Sequence, residues 1–146
     1  MIDRNHIGLE LASHSVEVEK GRLRFFAKAT GQSEAIYLDE YVAKAAGYPT
    51  LPAPPTFLFS LEMEKPDPFE MFFTMGIDLK RVLHGEQSFK HHKPVCAGDT
   101  ITFTSKVEDI FDKKGGTLEF VVQKTLAKNQ HDEAVGEMTR LIVVRN

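Results

Sequence analysis

Tryptophan is absent from this 146-residue chain, and cysteine occurs once, at Cys96. One cysteine excludes an internal disulfide and leaves no thiolate pair for a metal. Its ordinary role is a small filler near a turn, since a nucleophile needs an activating neighbour. No run of 18 or more apolar residues occurs, which excludes a membrane-spanning helix. There is no basic block either. The 18 Lys and Arg are interleaved with 21 Asp and Glu, so no phosphate-tracking surface is expected and nucleic acid drops out as a partner. The opening MIDRNHIGLELASHS lacks the basic start and long apolar centre of a secretory signal, which predicts a cytoplasmic protein. No internal repeat and no low-complexity linker divides the chain, so one domain over residues 1–146 is expected.

Metal chemistry is not expected. His84, Glu86 and His92 share strand parity. However, His84 and His92 would stand roughly 26 Å apart on a straight strand rising 3.3 Å per residue. No phosphate-loop motif is present, and no cofactor is implied.

What is there changes character once. The first half is helix and loop with Gly and Pro punctuation; the second half reads as long strands. His14–Lys20 alternates as a first strand. Gly21–Thr30 places Leu23, Phe26, Ala27 and Thr30 on one helical face, closed by Gly31 in a left-handed cap. Asp39 is a good N-cap for a short helix through Ala46, with Tyr41, Val42, Ala45 and Ala46 available for packing, and Gly47 and Pro49 stop it. After the stiff Leu51-Pro52-Ala53-Pro54-Pro55 approach, Pro55 suits the first turn of a helix over Thr56–Met63. That helix is apolar on nearly all sides, as a helix at the centre of a fold must be. Lys65–Phe73 reads as a loop or broken helix over the surface.

From Leu83 the period is two. Leu83–Lys93, Thr100–Phe111, Thr117–Lys128 and Glu133–Val144 are four candidate strands. The separators between them are short, which predicts antiparallel neighbours throughout. Ile101, Phe103, Ser105 and Val107 form one face; Leu118, Phe120 and Val122 form another. One face should cover the apolar helix and the other meet solvent or a partner. The residues alone therefore predict an α+β fold with helices on one face of an antiparallel sheet.

Three segments carry a family resemblance. The first is Thr30-Gly31-Gln32-Ser33-Glu34-Ala35-Ile36-Tyr37-Leu38-Asp39. The second runs from Ala43 to Tyr48 and on through Leu51–Phe57. The third is Leu83-His84-Gly85-Glu86-Gln87-Ser88-Phe89, with His92-Lys93-Pro94 and Ala97-Gly98-Asp99-Thr100. Together they resemble the MaoC-like (R)-specific enoyl-thioester hydratases and dehydratases, in particular the non-catalytic half of two-part dehydratases. The resemblance implies a hot-dog fold, a long antiparallel sheet wrapped around a central buried helix. It also implies the family chemistry of fatty acid metabolism, reversible addition of water to a trans-2-enoyl thioester. There an Asp and a His activate the water and a backbone N–H polarises the carbonyl.

The first segment departs from the family pattern Gly-Asp-x-Asn-Pro, aliphatic, His. Gln32 stands at the Asp position and Tyr37 at the His position; Glu34 replaces the Asn and is the one nearby carboxylate that could substitute. A glutamine accepts no proton at neutral pH, and a tyrosine of pKa about 10 is a poor base there. The resemblance thus implies a subunit that binds the acyl chain through Pro54, Pro55, Thr56, Phe57 and Phe59 while a partner supplies the Asp/His pair. That partner would be a catalytic MaoC-like hot-dog subunit or a second copy, forming a dimer, and the ligand a CoA or acyl-carrier thioester. Two alternatives stay open: a homo-oligomeric hot-dog thioesterase using Glu34 or Asp39, and a non-enzymatic acyl-thioester binding module. The run Phe57, Phe59, Met63, Phe69, Met71, Phe72, Phe73 and Met75 has two readings as well. It is either core plus a loop cover or the wall of an acyl-chain tunnel.

Overall fold

The computed structural model describes all 146 residues. Its frame is one five-stranded antiparallel sheet. The strands are β1 (His14–Glu17), β2 (Val82–His91), β3 (Thr100–Lys113), β4 (Leu118–Lys128) and β5 (Ala134–Arg145). The helices are α1 (Lys20–Ala29), α2 (Glu40–Ala45), α3 (Phe57–Glu62) and α4 (Glu70–Thr74). The strand order is β1-β3-β4-β5-β2.

That order corrects one sequence expectation. β2 and β3 are not neighbours: β2 pairs with β5 at the far edge, Val82 opposite Val144 through His91 opposite Gly136. The short separator between them does not fold back as a hairpin because its backbone is used elsewhere. Ala53 N–H donates to the Val95 carbonyl at 2.7 Å and Ala97 N–H to the Leu51 carbonyl at 2.9 Å. The segment therefore crosses over the entry to α3 and carries the chain to the other side of the sheet.

α3 lies on the inner face of the sheet, with Phe57, Leu58 and Leu61 almost wholly buried against Phe103, Ala127 and Met138. It begins one residue later than expected, at Phe57, with Pro54–Thr56 forming the turn into it. A second apolar cluster joins Met71, Phe72 and Met75 of the α4 region to Val107, Val121 and Ile142. The inner row of β3 runs Ile101, Phe103, Ser105 and Val107 as predicted, and a bulge between Val107 and Asp109 re-aims it so that Ile110 continues inward. Leu118 and Val122 stay on the outer face.

α2 also departs from expectation. Its buried residue is Ala43, while Tyr41 is 83% exposed and Ala45 and Ala46 face solvent. Six residues make fewer than two turns, so one small side chain suffices to seat the helix and no apolar stripe is needed.

Candidate functional site

The altered motif follows directly from how α1 ends. Gly31 takes φ +73°, Gln32 N–H donates to the Ala27 carbonyl at 2.8 Å and Gly31 N–H to the Lys28 carbonyl at 3.3 Å. This is a Schellman closure, which only a residue free to adopt a left-handed backbone completes without strain. A single tight turn, Ala35–Tyr37, follows. Asp39 then caps α2, its Oδ1 accepting from Tyr41 N–H at 2.8 Å and Val42 N–H at 3.4 Å.

These turns send the two motif positions to different places. Gln32 borders a surface depression with Lys28, Gly31, Ser33 and Leu38. Tyr37 instead faces a cleft of about 280 Å³ at the entry to α3, together with Tyr48, Pro54, Pro55, Leu58 and His91. Burial raises the Tyr37 pKa above its ordinary value, and the neighbouring Glu34 charge and Tyr48 push the same way. At neutral pH Tyr37 therefore keeps its phenolic proton. Glu34 is exposed and borders neither recess.

The residues expected along the acyl chain divide. Pro54 and Pro55 wall the Tyr37 cleft. Thr56 is exposed at the start of α3. Phe57 is core, packed edge-on to Phe26 with centroids 5.2 Å apart. Phe59 points into a second cleft of about 350 Å³, which it shares with Met63, Phe69, Phe72, Leu83 and Arg140. In the Phe/Met run, Met71, Phe72 and Met75 are buried while Phe69 and Phe73 are exposed in part. Cys96 is buried, and burial followed by the Asp99 charge raises its thiol pKa, the opposite of an activated nucleophile.

Sequence reasoning missed the polar layer beneath α3. Glu62 is 5% exposed at the last position of α3, where Ser60 is the one other polar residue. Its Oε1 accepts from Thr125 Oγ1 at 2.9 Å and from Ser105 Oγ and Gln123 Nε2, both at 3.2 Å; its Oε2 accepts from Arg140 Nη2 at 2.9 Å. Arg140 also covers the Phe59 ring at 4.8 Å from its centroid. By register, this layer lies between the two apolar clusters. Its signal was legible: a lone acid in an apolar helix, and polar residues on the inward parity of β4 and β5.

Comparison with known proteins bears on the whole chain. The family model for the FAS1-like, dehydratase domain region matches residues 5–138. A UPF0336 protein of Saccharopolyspora erythraea is 38% identical over 115 residues, 78% of this chain and 74% of that protein. Among solved structures, a C-terminally truncated HadBC (3R-hydroxyacyl-ACP dehydratase) complex from Mycobacterium tuberculosis superposes with a TM-score of 0.80. Its sequence identity is 25%, and the match covers 94% of this chain and 96% of that one. The ChsH1-ChsH2 complex from Mycobacterium tuberculosis superposes at 0.75, with 21% identity over 94% of this chain and 89% of that one. The architecture is thus the hot-dog fold of the MaoC-like dehydratases.

Proposed function

Because the chain belongs to the family of the FAS1-like dehydratase domain region, we propose that it is one subunit of an (R)-specific 3-hydroxyacyl-thioester dehydratase, acting in reverse as an enoyl-CoA hydratase. It holds the acyl chain. A hot-dog partner, or a second copy, supplies the Asp and His that activate water and move its proton. The observation that carries this reading is the Tyr37 cleft. The motif's histidine position is filled by a phenol kept protonated, and its aspartate position, Gln32, borders a different recess. A phenol can orient a carbonyl or a water by donating to it, but neither side chain accepts a proton at neutral pH.

Two further observations support a partner. β2 is an edge strand ten residues long, with unpaired backbone groups along one side. The two solved relatives above are described as complexes, HadBC and ChsH1-ChsH2. For the thioesterase alternative, Glu34 is exposed and Asp39 is engaged as the cap of α2, so neither carboxylate is set against the cleft. A binding module without turnover differs from the proposed subunit only in having no catalytic partner.

The test is hydration of crotonyl-CoA and longer enoyl-CoA thioesters by the purified chain, alone and mixed with a hot-dog subunit bearing the intact Gly-Asp-x-Asn-Pro-x-His motif. Slow turnover alone and recovery with the partner are expected. Rapid hydration by the chain alone, abolished in Glu34→Ala or Tyr37→Phe, overturns the reading. Release of free CoA marks a thioesterase.

A further inference from the structure

The outer face of the sheet, turned away from α3, carries an apolar row that crosses four strands. Leu83 of β2 pairs with Val143 of β5, Val143 with Phe120 of β4, and Phe120 with Phe111 of β3. The two rings stack with centroids 4.8 Å apart, and Leu83 is 47% exposed. Leu118 on one side of this row, and Val122 and Leu141 on the other, widen it and keep some exposure. With about 4.8 Å between strands and about 6.6 Å between rows on one face, three rows on four strands span roughly 400 Å². An apolar patch of that size with a charged rim marks an interaction surface.

The rim carries a pattern. On one flank Lys113 and Arg145 stand in the row of Leu118; on the other Asp109 and Glu86 stand in the row of Val122 and Leu141. None of these four charges has an ion pair within the chain. Farther along the same face the charges are satisfied internally, with Glu108 lying 3.1 Å from both Lys106 and Lys124. Cations therefore line one flank of the apolar row and anions the other, and the fold itself supplies neither with a partner.

That arrangement is self-complementary. A two-fold axis laid along the apolar row turns the face over and exchanges its flanks. Lys113 of one copy then stands over Asp109 of the other, Leu118 over Val122, and Arg145 over Leu141, one strand spacing from Glu86. An axis laid along the strands instead sets Glu86 against Asp109, like against like. We propose that two copies of this chain stack outer face to outer face about the first axis, burying the row from Leu83 to Phe111. Roughly 400 Å² per copy is less than a permanent dimer buries, so the association is weak and reversible. The contact lies across the sheet from both clefts and involves no thioester, so its failure and that of the dehydratase reading are distinguishable.

The experiment is sedimentation velocity on the purified chain from about 5 to 500 μM, the range in which a contact of this size assembles. The mass should double with concentration, starting from the monomer or, where copies also pair along β2, from that pair. Lys113→Glu and Asp109→Lys each make both cross-axis pairs repulsive, and each should weaken the doubling about tenfold. An equimolar mixture of the two variants should recover it, because each cross-axis pair in the mixed dimer is again opposite in sign. Leu83→Glu sets like charges together on the axis and should also suppress the doubling, which keeps the test open if a charge reversal does not fold. All three residues are exposed. The proposal is overturned if the mass is constant across the range, if the charge reversals assemble as the parent does, or if their mixture stays dissociated.

Discussion

Arg140 Nη2 lies 2.9 Å from Glu62 Oε2, joining β5 to the last residue of α3 inside the fold. Both side chains are nearly closed to solvent, and Ser105, Gln123 and Thr125 converge on the other carboxylate oxygen. Burial lowers the Arg140 pKa, and the Glu62 charge and hydrogen bond oppose it; a guanidinium stays protonated in either case. Removing the cation leaves a buried carboxylate with only neutral donors. Arg140→Met should therefore destabilise the protein by about 3–5 kcal/mol, read from urea unfolding. A loss below about 1 kcal/mol would show that water reaches Glu62.

The bulge in β2 gives a second test. The register between β2 and β5 shifts between His84 and Glu86, leaving Gly85 as the extra residue. A Cβ on Gly85 would stand 2.7 Å from Val143 Cγ2 and 3.2 Å from the Leu141 carbonyl oxygen. Val143 is β-branched and stiff, so it cannot swing clear. Gly85→Ala should cost about 1–3 kcal/mol. The double variant Gly85→Ala/Val143→Ala should cost less than the sum of its singles, because the second change removes the atom in the way. Additive losses would mean that the backbone carbonyl sets the clash.

How much of this could be read beforehand follows the range of the interactions. α1, its glycine closure, the Asp39 cap and the long strands were legible because local spacing and capping chemistry determine them. The placement of β2 beside β5 was not, because a short separator looks the same whether it turns back or crosses a helix. The split of Phe57 into the core and Phe59 into a cleft escaped for a related reason. On an all-apolar helix, the direction each side chain takes is decided by what packs around it. The Tyr37 cleft was half legible: the motif located Tyr37 and the prolines, but only the crossing of residues 92–97 brings His91 and Val95 to the same recess.

Acid should loosen the anchoring of α2 only well below neutrality. Lys20 and then Thr50 hydrogen-bond the Glu40 carboxylate, lowering its pKa from 4.5 to about 2. A carboxyl with a folded pKa below its unfolded value stabilises the fold while ionised. That contribution is complete above about pH 4.5 and is lost as pH falls toward 2. Glu40→Gln should thus be less stable than the parent near neutrality, with the gap closing as the solution is acidified through that window. The group is on the surface, so high salt should narrow the gap as well. A gap that persists unchanged at low pH would assign the effect to packing, not charge.

Tyr37 separates a donating role from a catalytic one. Its phenol faces the α3 entry cleft with its pKa raised by burial, so it keeps its proton at neutral pH and can offer a hydrogen bond to a group bound there. Tyr37→Phe keeps the ring and deletes that one bond, worth about 1 kcal/mol. With a catalytic hot-dog partner added, kcat/KM should fall only about fivefold, through KM with kcat unchanged if the bond holds the bound thioester equally in ground and transition states. Restoring the family pair with Gln32→Asp and Tyr37→His should not make the chain self-sufficient. The two side chains border separate recesses, and an acid/base pair must reach one water together. Hydration by that double variant alone, at a rate matching the partnered enzyme, would show that loop movement brings residues 32 and 37 to a common site.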